Sequence, residues 1–217
     1  MHKKRQSELN LLLLISLLLV ILLFPILDYG DLRRLILSIL VFVPVILATV
    51  KLSEKRLWMW PGISLMSAII LTTMATWKWP GPRLHAFKWA LLALFFGLAV
   101  VHLFSYIRYA HAITNAQLYT AISIYLLLGM QWFALYMCVY SLSPGALLLN
   151  NSALTTHHTE ILYFSLVTLS TIGYGDVVPV QGEIRMLAAL EGITGVLYVA
   201  ITVALLVNAY RQQANTD

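Results

Sequence analysis

Thr159-Glu160-Ile161-Leu162-Tyr163-Phe164-Ser165-Leu166-Val167-Thr168-Leu169, followed without a break by Ser170-Thr171-Ile172-Gly173-Tyr174-Gly175-Asp176, is the stretch whose reading decides the fold. Its first part is apolar enough for membrane depth, yet about half the roughly 20 residues that a helix needs to cross a hydrocarbon core about 30 Å thick. A re-entrant half-helix fits that length. Thr159 is placed to cap its N-terminus, and Glu160 complements the positive end of the helix dipole. The partially negative C-terminal end then points inward. From there the chain must return to the surface without a regular hydrogen-bond ladder, which lipid forbids unless the backbone lines a polar cavity. Gly173 and Gly175 make positive φ available, so that successive carbonyls can be aimed at one axis. Such carbonyls can replace the hydration shell of an ion, and hard alkali cations prefer neutral oxygen ligands.

The flanking sequence confirms lipid as the solvent. Of 217 residues 60% are hydrophobic and only 11% charged, against about a quarter charged in a soluble domain. Apolar runs near 9–27, 32–50, 57–77, 84–107, 117–141 and 185–210 predict six crossings, with the half-helix between the fifth and sixth. The expected fold is therefore all-α and integral to the membrane. The net charge of +5 does not argue for nucleic acid, because Lys and Arg are scattered through short connections and line no one face. With the N-terminus inside, Lys3, Lys4, Arg5, Lys51, Lys55, Arg56, Arg108 and Arg211 face the cytoplasm. Arg33, Arg34, Lys78, Arg83, Lys88 and Arg185 then face outward, and the segment between spans five and six opens outward.

The first run follows basic residues as a signal peptide does, but Phe24-Pro25-Ile26-Leu27 offers no small-residue cleavage site, so an uncleaved span is expected. Trp58 and Trp60 at one end of the third span and Trp77 and Trp79 at the other suit the headgroup layer. Pro44 and Pro61 should kink their helices or mark a late start. The lone Cys138 excludes an intrachain disulfide framework. The hydrophilic ends are too short for a folded soluble domain.

Thr171-Ile172-Gly173-Tyr174-Gly175-Asp176 resembles the filter motif of the tetrameric pore-loop potassium-channel superfamily, with Ile in place of the commoner Val. The resemblance covers about 117–210; the first four spans match nothing specific. It implies a homotetramer in which the carbonyls of Thr171, Ile172, Gly173, Tyr174 and Gly175, with the Thr171 hydroxyl, form stacked sites for K+ as the permeant ion. It also implies that Asp176 accepts a hydrogen bond from Tyr163 behind the filter, and that Gly195 is the inner-helix hinge. Paired Gly192 and Gly195 equally permit close helix packing. The sequence departs from many relatives in Tyr163-Phe164, where paired tryptophans are common, and in Val167, where some carry glutamate. The expected division is a four-helix N-terminal membrane domain, 1–116, and a pore domain, 117–217.

Voltage-gated relatives carry arginines every third residue in the fourth span, each charge worth about 2.3 kcal/mol per 100 mV. Here only Lys88 and Arg108 flank an apolar stretch, so weak or no voltage sensing is expected. With only a short tail after Arg211, gating by an appended ligand-binding domain is not expected. A leak-like or filter-gated channel in the plasma membrane, both termini cytoplasmic, is the reading; a channel needing a partner, pH or lipid stimulus, and a non-conducting subunit, are the alternatives. An enzyme is not expected, since no nucleophile-base pair, metal motif or small-molecule site is evident. His85, His102 and His111 are spaced too far apart for one ligand face; His102, His157 and His158 leave a pH-sensing role open. Gln131 and Asn208 are read as interhelical hydrogen-bonding groups, Asn208 alternatively as a group at the inner pore mouth. Asn150-Asn151-Ser152 fits a glycosylation triplet.

Overall fold

The computed structural model describes residues 2–27, 31–52, 56–108, 114–150, 152–153 and 158–214. Lys55, His111, Asn151 and His157 lie outside the described residues, as do the side chains of Lys3, Lys4, Arg5, Arg33, Arg34, Lys51, Arg56 and Trp58. The apolar runs become α1 (His2–Leu27), α2 (Asp31–Leu52), α3 (Arg56–Lys78), α4 (Pro82–Arg108), α5 (Asn115–Leu142) and α7 (Gly182–Ala214), with α6 (His158–Leu169) between the last two. Among the described residues four segments are long and apolar enough to cross a membrane: Ser7–Leu27, Pro82–Arg108, Asn115–Leu142 and Gly182–Arg211. These are the proportions of an integral membrane helical protein. Helices α2 and α3 are 22 and 23 residues long and run through Pro44 and Pro61. Helix α3 starts at Arg56, so Pro61 marks no late start. Ser64 Oγ donates to the Pro61 carbonyl at 3.0 Å and Thr73 Oγ1 to that of Ile69 at 2.7 Å, so these hydroxyls bond within the helix and cost less to hold in lipid.

Helix α5 is the centre of the molecule. A capping box starts it, with the Thr114 N–H donating to Gln117 Oε1 at 3.0 Å. It packs against α1, α4, α6 and α7, so one continuous core joins the two expected domains. Phe133 takes edge-on contacts from Phe24 of α1 and Trp89 of α4 at 5.5 and 5.4 Å. Lipid tails are as apolar as leucine, so burial against lipid gains little; close packing and interhelical hydrogen bonds must hold these helices together. Both are present. Gly97 lets the Gln131 side chain approach so near that a Cβ would sit 3.1 Å from its Nε2. The buried Asn10 Nδ2 donates to the Ala116 carbonyl at 3.1 Å, and Tyr198 Oη of α7 to that of Ala121 at 2.6 Å.

One element was not expected. Strands β1 (Leu147–Leu149), β2 (Ser152–Ala153) and β3 (Val177–Pro179) form a small antiparallel sheet in the order β2-β1-β3. It joins the loop after α5 to the segment just after the glycine-rich stretch, pairing Leu147 with Pro179 and Leu149 with Val177.

Candidate functional site

Helix α6 is wedged between α5 and α7 by missing side chains. A Cβ on Gly129 of α5 would meet Leu166 Cδ2 at 2.7 Å, and one on Gly195 of α7 would meet the Leu169 carbonyl oxygen at 1.9 Å. Gly195 therefore has a packing reason to be glycine; Gly192 has nothing nearer than the Thr168 carbonyl oxygen at 3.8 Å. Glu160 lies in the first turn of α6 as expected, and Thr159 stands beside it in the same turn.

The C-terminus of α6 closes with a reciprocal pair of bonds: the Ile172 N–H donates to the Val167 carbonyl at 3.0 Å, and the Thr171 N–H to that of Thr168 at 3.0 Å. This is a Schellman cap, which needs a left-handed residue one step before its last donor. Thr171 fills that place with φ 59°. A β-branched residue is strained there, at a cost of order 1–3 kcal/mol. Gly173 and Gly175 follow at φ 57° and 80°, whereas Ile172 and Tyr174 have negative φ. Left-handed residues thus alternate with ordinary ones through the five-residue strip, and that alternation turns successive peptide planes so that consecutive carbonyls can share one side. The whole strip is exposed, Ile172 at 56% and Tyr174 at 70%.

The strip is anchored where it ends. Tyr163 Oη donates to Asp176 Oδ2 at 2.8 Å, the Val177 N–H donates to Asp176 Oδ1 at 3.0 Å, and the Asn150 N–H donates to the Asp176 carbonyl at 2.9 Å. The Tyr174 ring stacks on that of Tyr163, 6.4 Å apart and tilted by 4°. The Tyr163 hydrogen bond, opposed by burial and aided by backbone N–H groups, holds the Asp176 carboxyl below the usual carboxylate range. Partial burial, then the Asp176 hydrogen bond and the charges nearby, push the Tyr163 phenol up to about 12.

Thr171 to Gly175 thus lie together in one exposed strip, with Tyr163 and Asp176 bonded behind it. His102 lies elsewhere, buried in α4. His85, Lys88, Trp89 and His158 line a pocket of about 290 Å³, where Trp89 meets the His158 ring edge-on at 5.9 Å.

Sequence reasoning passed over Glu191. This α7 carboxyl is fully buried, with Ser165 Oγ of α6 at 2.6 Å and Tyr136 Oη of α5 at 2.6 Å from its two oxygens. The signal was available, because an ionisable residue inside an apolar span is costly and so deserves a functional question.

Residues 89–212, more than half of the chain, match a family model described as ion channel. A stretch of 53 residues is 43% identical to a protein of Rhodopseudomonas palustris named "Putative potassium channel protein". That stretch is 24% of this chain and 13% of the relative. No solved structure matches.

Proposed function

Because this chain belongs to the ion-channel family, we propose that four copies surround one potassium-selective pore, filtered by the carbonyls of Thr171, Ile172, Gly173, Tyr174 and Gly175 and by the Thr171 hydroxyl. The observation that carries this reading is the alternation of left-handed residues at 171, 173 and 175, directly after a half-length helix. An ion entering such a strip exchanges water for carbonyl oxygens at fixed positions, and successive rings let ions hand on from one site to the next. One chain offers only one side of each ring, so closure requires symmetry-related copies. The name of the Rhodopseudomonas relative points to the same ion.

Two further features support the assembly. Helix α7 leaves Met186, Ile193, Val196, Leu197 and Val203 each more than half exposed, an apolar surface for neighbouring copies, the pore and lipid. The C-terminal end of α6, negative by its dipole, precedes the strip and favours a dehydrated cation there. Gly195 serves as the bending point of α7 in this proposal; bending there separates it from the Leu169 carbonyl. The protein spans the plasma membrane six times with cytoplasmic termini, and α1 to α4 brace the pore-forming helices. Voltage sensing through α4 is weak, because its inner face, with Phe95, Phe96 and Leu103, is packed on the core and Lys88 and Arg108 are its only charges past the first turn. It catalyses no bond-breaking step.

The test is flux from purified protein in liposomes under potassium or sodium gradients, at several voltages, with barium as blocker. Barium-sensitive potassium flux without sodium flux is expected at all voltages. Equal flux of both ions overturns the proposal.

A further inference from the structure

Glu191 is the buried acid of α7, one that the pore proposal leaves without a role, and its surroundings allow its hydrogens to be counted. The carboxyl, Tyr136 and Ser165 are all fully buried. Tyr136 has one hydroxyl hydrogen and gives it to Oε2 at 2.6 Å. Ser165 also has one, yet its Oγ stands 2.6 Å from Glu191 Oε1 and 2.9 Å from the Gly129 carbonyl oxygen. If the carboxyl is ionised, both of those neighbours are acceptors, and a single hydrogen must serve two of them. If Oε1 carries a proton, it donates to Ser165 Oγ, Ser165 donates to Gly129, and every group in the chain of bonds is satisfied. The titratable groups facing the carboxyl are Tyr136 and Tyr125, both of α5, while α6 presents only the serine. Neither tyrosine compensates a buried negative charge as a cation would, and an uncompensated buried carboxylate is costly.

We propose that Glu191 is a positioning residue for the filter, acting as a neutral carboxylic acid that ties α7 to α6 and α5 through Ser165, Tyr136 and Gly129. Glu191, Ser165 and Tyr136 stand on α7, α6 and α5, so the tie joins the helix that precedes the strip to the two helices packed against it. The tie meets α6 midway along its length, where it resists sideways movement of the helix whose C-terminal cap sets the start of the filter. This inference rests on the reading of residues 171–175 as the filter.

The experiment compares full-length wild type, Glu191→Gln and Glu191→Ala in liposomes, measuring potassium over sodium flux. Infrared difference spectra of wild type minus Glu191→Gln are recorded on the same proteins. Glutamine can donate to Ser165 and accept from Tyr136 as the protonated acid does, so Glu191→Gln should keep the flux ratio within about twofold, whereas Glu191→Ala, which strands two buried hydroxyls, should lower it about tenfold. The spectrum should show the loss of one protonated carboxylic-acid stretch. The proposal is overturned if Glu191→Gln loses selectivity as far as Glu191→Ala, if Glu191→Ala conducts like wild type, or if no such stretch is lost. Should wild type itself fail to select potassium, the filter reading falls, and the infrared comparison still decides whether Glu191 holds a proton.

Discussion

Replacing Gly195 by alanine puts a methyl group where there is no room for one. Its Cβ would lie 1.9 Å from the Leu169 carbonyl oxygen, 3.0 Å from the carbonyl carbon and 3.3 Å from Leu169 Cδ1. A carbon and an oxygen rest at about 3.3 Å, so α7 and the end of α6 must part by roughly 1.4 Å. The obstructing atom is main chain and cannot rotate away. Overpacking of this kind costs about 1–3 kcal/mol, and a backbone clash puts the cost at the upper end. A loss of about 3 kcal/mol lowers the unfolding midpoint by roughly 6–12 °C. Because Leu169 is two residues before Thr171, the displacement reaches the filter, and the potassium-over-sodium flux ratio should fall about tenfold, equivalent to about 1.4 kcal/mol. Gly192→Ala is the internal control: its nearest contact of 3.8 Å is ordinary, and better helix propensity makes it neutral or stabilising by up to about 1 kcal/mol. Melting in detergent and liposome flux, run on both variants, check the argument. A Gly195→Ala protein with the stability and selectivity of wild type would refute the close approach of α7 to α6. One that keeps selectivity and loses only channel opening would show that the methyl acts on the bending of α7 and not on the filter.

Gly173→Ala forces a side chain into φ 57°, at about 1–2 kcal/mol per copy; assembly on size exclusion should survive while selective conduction is lost. Tyr163→Phe removes the donor to Asp176 and should lower the potassium-over-sodium flux ratio roughly threefold to tenfold. The same pair sets a pH window. With the Asp176 carboxyl depressed, its support is complete above the ordinary value of about 3.9 and is lost as pH falls through the lower folded value. With the Tyr163 phenol raised, its support is complete below about 10 and is lost as pH rises toward about 12. The part of the thermal stability in detergent that the pair supplies, read as the difference between wild type and Tyr163→Phe, should therefore be constant between those limits and shrink outside them.

Much of this was legible because it is local. The half-helix and the strip from Thr171 to Asp176 are contiguous, and an apolar run about half a crossing long followed by spaced glycines has few other uses in lipid. The Tyr163 to Asp176 bond could be expected because the resemblance carries it. The left-handed Thr171 was not anticipated, since a β-branched residue is a poor candidate for φ 59° and only the cap geometry of α6 calls for it. The sheet was hidden because strands of two and three residues, with Leu147-Leu148-Leu149 showing no alternation, leave no periodic signal. Glu191 was averaged away by the hydropathy of its span, and its partners Tyr136 and Ser165 stand 55 and 26 positions distant, beyond the reach of any local pattern.

The pairing of β1 with β3 makes the segment between them a closed loop. Leu147 meets Pro179 and Leu149 meets Val177, so α6, its cap and the filter strip are enclosed by a ladder formed from residues on either side of them. Closing a loop of about thirty residues is entropically costly once, and little more is lost by ordering its two ends further. The strip therefore cannot loosen by fraying from one end as a terminal segment does; it opens together with the ladder or stays shut. Its backbone amides should then exchange with solvent as one cooperative unit with those of β1 and β3, so that the short sheet fixes the lifetime of the filter's shape although it touches no ion.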